Sequence, residues 1–270
     1  MSNKSIINRI LLAVFILLIS FPFISMCVLS LSLRWPIDSA LPQGFTLKGF
    51  EHFFKKDADV AIRSVFFSLG ASAITLLIAV PAVRGMMNMP HFLSRIAEAV
   101  FCFPMLLPVV SVCIGGHKLL LHFGGTGTWA VMLMHVYFAL PYVLQPVYSA
   151  YALLGRRTEV AAVNLGAGPI RIFLKIHLPM YLTDYILAFM IGFVISYSQY
   201  FVNFYFGSAK NINFSMVMTP LLAGSNRNVA SVYTFMYVLF GSLVVAGCSI
   251  LQRGIHRGAR SEERTVHVGN

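Results

Sequence analysis

With 58% hydrophobic and only 11% charged residues among its 270, the chain carries far less charge than the quarter or so usual in soluble domains, which excludes an ordinary water-soluble fold. Long apolar runs recur along it, and a helix needs about 20 residues to cross the hydrocarbon core, so the composition defines an integral membrane protein. The formal charge of +11 does not indicate nucleic acid, because the basic residues are scattered between apolar runs and form neither a basic helix nor an aromatic stacking platform.

Taken in chain order, hydropathy predicts six transmembrane helices, at about 9–33, 61–83, 96–117, 128–151, 181–205 and 229–251, in one all-α polytopic bundle without a soluble domain or an internal repeat. The positive start of the first run suits a signal peptide, but the run continues to about Leu33 without a small-residue cleavage site and is expected to stay as a span. The loop after it is close to neutral, with Arg34, Lys48, Lys55 and Lys56 set against Asp38, Glu51, Asp57 and Asp59. On span two, Ser64, Ser68, Ser72 and Thr75 repeat at helical spacing, a small polar stripe that lets another helix approach closely. GGTGTW, at 124–129, reads as a turn between spans three and four. Pro22, Pro81, Pro104, Pro108 and Pro141 fall within or at the ends of spans, where neighbouring helices can satisfy freed carbonyls. Cys27, Cys102, Cys113 and Cys248 all lie in apolar segments without metal or disulfide spacing and read as small buried hydrophobes. His117 and His135 have no ligand partner at local spacing and read as structural; Glu98 and Asp184 stand at span ends.

With the N-terminus in the cytoplasm, twelve of the 20 basic residues fall on the inner side, so the positive-inside rule places both termini there. The segment 154–179 then becomes an inner loop between spans four and five. Within it, Thr158 is a candidate N-cap, Glu159 suits the first turn of a helix over VAAVNL, and Gly166 is placed to end that helix in the left-handed conformation. Gly168 and Pro169 restart the chain, IRIFLKIHL makes a second short helix, and Pro179 is expected to end it. The result is a helix, a fixed turn and a helix, with Ala161 and Ala162 on a small, closely approachable face: a docking elbow, or an ordinary solvated loop.

Ala161, Ala162 and Gly166, followed after nine residues by Ile176, His177, Leu178 and Pro179, resemble the EAA loop of the membrane subunits of type I binding-protein-dependent ABC importers. Stretches 64–85 and 134–144 are similar to that family's second and fourth spans, and the likeness is nearest to the branch handling polyamines, ferric iron, thiamine or phosphonates. The resemblance implies a permease subunit in the bacterial cytoplasmic (inner) membrane, forming half of a translocation path. Its loop residues Glu159, Val160, Ala161, Ala162, Gly166, Ile176, Leu178 and Pro179 would dock a cytoplasmic ATPase. It further implies two ATPase copies, a second permease that is the same or different, an extracytoplasmic substrate-binding protein, and ATP and Mg used by the ATPase, with no cofactor on this chain. One position departs: the family's glutamate is Val160 here, and the nearby acid, Glu159, is turned by about 100° on the helix.

No G-x-x-x-x-G-K-[ST] occurs, so nucleotide binding by that device is absent from the chain. At the end of span five, Ser196, Gln199, Tyr200 and Asn203 share a stripe at i, i+3, i+4 and i+7, which lines a substrate path or gate, or makes interhelical hydrogen bonds. The competing functions are a stand-alone secondary transporter or channel, for which paired intramembrane charges are wanting, and an intramembrane enzyme, for which no convergent catalytic set is seen.

Overall fold

The computed structural model describes residues 3–35, 39, 42–122, 127–154, 157–207, 212–224 and 226–268. Residues 124–126 of the expected turn at 124–129, and Gly155 and Arg156 in the inner loop, lie outside the described residues. In chain order the elements are α1 (Asn3–Leu31), a short antiparallel pair β1 (Ser32–Arg34) and β2 (Gln43–Phe45), α2 (Lys48–Lys56), α3 (Ala58–Asn88) and α4 (His91–Cys102) with a 3₁₀ turn (Phe103–Leu106). There follow α5 (Val109–His122), α6 (Thr128–Leu154), α7 (Arg157–Asn164), α8 (Pro169–Ile172), a π turn (Phe173–His177), α9 (Leu178–Tyr197), α10 (Tyr200–Phe206), α11 (Phe214–Ala223) and α12 (Arg227–Val268). The polytopic helical bundle is as expected; the β pair and the amphipathic α2 are additions to the sequence reading.

Among the described residues, five helices are long and apolar enough to span a bilayer, and a sixth span counts only if the α4 and α5 pair is taken together. Those two are bent by 100° at their break, so the expected straight span over 96–117 is corrected. The cause is local: Pro108 disfavours the helical region for the residue before it, and Leu107 is extended at φ −92°, ψ 133°. Span five is corrected too, since α9 stops at Tyr197 and Gln199, at φ −77°, ψ 89°, separates it from α10.

Two compact units divide the chain. The first comprises Met1–Ile62 and Phe214–Phe240, with a core of Phe53, Ala61, Phe214, Val232, Tyr233 and Met236. Tyr233 donates a hydrogen bond to the Asp57 carboxylate, and its ring meets Phe53 edge-on at 5.3 Å. Gly49 is required here, since a Cβ would stand 2.6 Å from Asn228 Oδ1 and 2.8 Å from Val232 Cγ2. Asn228 donates to the carbonyls of Leu29, Ser30 and Ser32 at 2.8 to 3.3 Å, the first two in the last turn of α1, where a helix leaves carbonyls without partners. The α1 span is exposed over nearly all of residues 7–24 and half-buried over residues 25–29, and an exposed apolar stretch of that length is the signature of a helix that meets lipid or another membrane subunit.

The second unit, Arg63–Asn213 with Gly241–Asn270, is built on a crossing of α3, α6 and α9. Ala79, Val83, Val143, Leu144, Val147 and Ala188 pack fully buried in it. Gly192 lets the backbones close: an added Cβ would lie 2.7 Å from Ser72 Oγ and 2.8 Å from Val143 Cγ2. Ser72 donates across to the Phe189 carbonyl at 2.6 Å, and Ser64, Ser68 and Thr75 are likewise buried, so the serine stripe serves helix packing. Of the four cysteines, all free, Cys113 is buried and the other three are half-buried, a partial correction to the expectation for the group.

Candidate functional site

The elbow begins where α6 ends. Thr158 is the second residue of α7 and so lies inside the helix rather than capping it. At the other end, Gly166 adopts φ +78°; its N–H bonds to the Val163 carbonyl at 2.9 Å, and the Ala167 N–H reaches the Ala162 carbonyl at 3.0 Å. That pair of bonds is the Schellman motif, which satisfies the final carbonyls of α7 and sets the direction in which the chain leaves it. Gly168 then accepts the first bond of the next helix from Ile172 at 3.0 Å, and Pro169 occupies its first position.

Pro179 does not end that helix. Helix continues from α8 through the π turn into α9, and Leu178 N–H bonds five residues back to Phe173. Proline removes an N–H and crowds the carbonyl four residues earlier, and a locally widened turn absorbs both defects. The elbow is thereby continuous with a membrane span.

Glu159 is turned into the bundle. Its Oε1 accepts from Arg84 Nη2 at 2.5 Å and Nε at 3.1 Å, and its Oε2 lies 3.4 Å from His177 Nε2. The Tyr151 hydroxyl sits 2.7 Å from His177 Nδ1 and 2.8 Å from the Tyr185 hydroxyl, and the Tyr151 ring stacks on Tyr181 at 4.2 Å. One chain of polar contacts thus joins α3, α7, the π turn, α6 and α9. The cavity beside it, between Arg84, Glu159 and His177, holds about 10 Å³, room for no more than one water.

The remaining loop residues divide between two faces. Val160 is 48% exposed, Ala161, Gly166 and Pro179 are exposed, and Ala162, Ile176 and Leu178 are half-buried. Val163, Leu165, Ile170 and Leu174 add to an outward apolar surface, with Arg171 and Lys175 exposed beside it.

At the far end of α9 the expected stripe is not one helical face, because the break at Ser198 and Gln199 interrupts it. Ser196 and Asn203 are nevertheless brought together on the buried His135: Ser196 Oγ is 2.7 Å from Nδ1 and Asn203 Nδ2 is 3.1 Å from Nε2. An amide nitrogen can only donate, so Nε2 is the acceptor and Nδ1 carries the proton toward Ser196. With both nitrogens engaged and Phe67 edge-on at 5.1 Å, His135 is structural, as its sequence context suggested. Gln199 and Tyr200 are half-buried; Gln199 accepts the Asn203 amide through its carbonyl, and Tyr200 stacks on Phe204. Asn203 also borders a cavity of about 200 Å³ with Arg63, Ser64, Phe67 and Asn213.

Sequence reasoning missed Arg84, Tyr151, His177 and Tyr185 as a set. A signal was present: His177, Tyr181 and Tyr185 recur every four residues, one polar line on a span that is otherwise apolar.

The fold is that of a polytopic membrane helix bundle in which an elbow with an exposed apolar face runs on into a span. The chain belongs to the family of binding-protein-dependent transport system inner membrane components, whose model matches residues 76–261, more than half its length. It is a permease subunit of an ABC importer, a multi-pass protein of the inner membrane. It is 25% identical over 218 residues to the spermidine/putrescine transport system permease protein PotC of Haemophilus influenzae, covering 79% of this chain and 85% of that one. It is 26% identical over 207 residues to the PotC homolog of Mycoplasma pneumoniae (70% and 66% covered), and 29% over 144 residues to PotC of Escherichia coli K12 (51% and 53%). In fold it is similar to an inward-facing structure of the MetNI methionine ABC transporter, with a TM-score of 0.58 at 16% identity over 73% of this chain and 96% of the other.

Proposed function

We propose that the elbow formed by α7 and α8 is the seat of a separate cytoplasmic ATPase, and that nucleotide-driven movement of that partner reaches the spans through α9. The observation that carries this reading is the union of an exposed apolar face, Val160, Val163, Leu165 and Ile170, with a Schellman-locked turn continuous with a membrane helix. A floppy loop would absorb the push; a helix running from Pro169 to Tyr197 hands it onward. In this reading the elbow and both termini are cytoplasmic, two ATPases serve two permease subunits, alike or different, and an external binding protein delivers the cargo. ATP and Mg belong to the ATPase.

The cargo is a small polar solute of the polyamine, ferric iron, thiamine or phosphonate branch, and the names of the relatives make labelled spermidine and putrescine the first to assay. Ser196, Gln199, Tyr200 and Asn203 remain candidates for the path through Asn203's place on the 200 Å³ cavity, with His135 holding that end of α9 and α10 in shape. Affinity purification in mild detergent tests the assignment: an ATP-hydrolysing protein and a hydrophobic subunit are expected to co-purify. Gradient-driven flux by the purified chain alone, with no such companion, would overturn it in favour of a secondary transporter.

A further inference from the structure

We infer that Glu159 is a positioning residue for its own chain: with Arg84 and His177 it clamps α7 to the α3, α6 and α9 crossing, and it takes no part in the contact with the ATPase. The inference rests on the reading of the elbow given above.

The geometry points inward at each step. Glu159 stands in the first turn of α7, its side chain only 15% exposed, while Val160, one residue on, faces outward. The carboxylate is spent within the chain. Arg84, in the last turns of α3, offers it two donors, and His177 approaches its other oxygen. A carboxylate accepts and does not donate, so the N–H of His177 lies on the nitrogen facing Glu159. For a neutral imidazole, Nδ1 then accepts from the Tyr151 hydroxyl, whose oxygen accepts from Tyr185. Every donor in the row is thus polarised toward one negative charge.

The mechanical consequence follows from length. A helix of eight residues is too short to hold its own shape in water. Two fixtures hold α7: the Schellman turn ties its C-terminal end to α8, and Glu159 ties its N-terminal turn to the bundle. A rod held at both ends moves with what it is fixed to; released at one end, it pivots about Gly166. The face left for the ATPase is apolar at Val160 and Val163, so the cleft that receives it presents apolar side chains there, and docking tolerates salt.

The test places spin labels at Thr158→Cys, in the first turn of α7 and so at the end the clamp holds, and at Met89→Cys beyond α3, in a chain with its native cysteines replaced, in nanodiscs, with and without the co-purified ATPase under Mg-ATP and vanadate. The unaltered clamp should give one narrow distance distribution in all states. E159Q and R84Q should each broaden it and add a longer component on vanadate trapping, while the ATPase still co-purifies; the charge-swapped R84E with E159R should restore the narrow form. A distribution in E159Q identical to the parent's, or loss of the ATPase with the distances unchanged, would overturn the clamp. Failure of the parent chain to bind any ATPase would instead strike the elbow's proposed role, and the label distances in the chain alone would still decide whether the clamp exists.

Discussion

At the scale of single residues, the informative ones are polar groups far from water. His135 is fully buried and uses both ring nitrogens, so removing it takes the partner from the buried Ser196 hydroxyl and leaves the Asn203 amide only its bond to the Gln199 carbonyl. A buried polar group without a partner costs about 1–3 kcal/mol, and His135→Ala should lower stability by about 2–3 kcal/mol, read as a fall in the unfolding midpoint in detergent. Replacing all three polar groups with apolar ones, as His135→Leu with Ser196→Ala and Asn203→Leu, should recover part of that loss, because nothing is then left unpaired. An unchanged midpoint in His135→Ala would remove the case for a structural histidine.

At the scale of elements, the elbow depends on one backbone conformation. Nothing lies within 4 Å of a Cβ added at Gly166, so a larger residue there meets no clash; the penalty is the φ of +78° itself. An ordinary L-residue pays roughly 1–2 kcal/mol for that conformation, more if β-branched, whereas Asn adopts it readily. Gly166→Val should therefore leave membrane insertion intact and lower ATP-driven uptake or ATPase retention, and Gly166→Asn should recover much of it. Equal uptake by the parent and the Val variant would show that the turn transmits nothing. The C-terminal end of α7, the turn and the helical restart at Pro169 were legible in the residues, because glycine and proline chemistry act over a few positions; the start of α7 was not, since Thr158 lies within the helix. The continuation through Pro179 was not, since a π turn that rescues a proline depends on the neighbours that hold it, among them the buried His177.

At the scale of the whole molecule, the proposed orientation, with elbow and termini inside, rests on the distribution of basic residues. In a background lacking the four native cysteines, Lys55→Cys should react with an impermeant thiol reagent applied to intact cells. Arg171→Cys should react only after permeabilisation, and the reverse pattern would place the elbow outside. The number of apolar runs and their order were readable in advance because a bilayer imposes a length on every span. The 100° bend between α4 and α5 was not, although Pro104 and Pro108 marked its place.

What the sequence by itself determined is what depends on local chemistry and on the solvent: a membrane protein, its apolar spans, the polar interruption at 154–179 and a glycine-ended helix within it. What only the tertiary structure decided is where each polar side chain in the spans spends its hydrogen bonds. Arg84 and Glu159 are 75 residues apart, and His135 is 61 from Ser196. No local pattern relates such pairs; they meet because the close crossing of α3, α6 and α9 leaves a buried charge or amide no water to turn to.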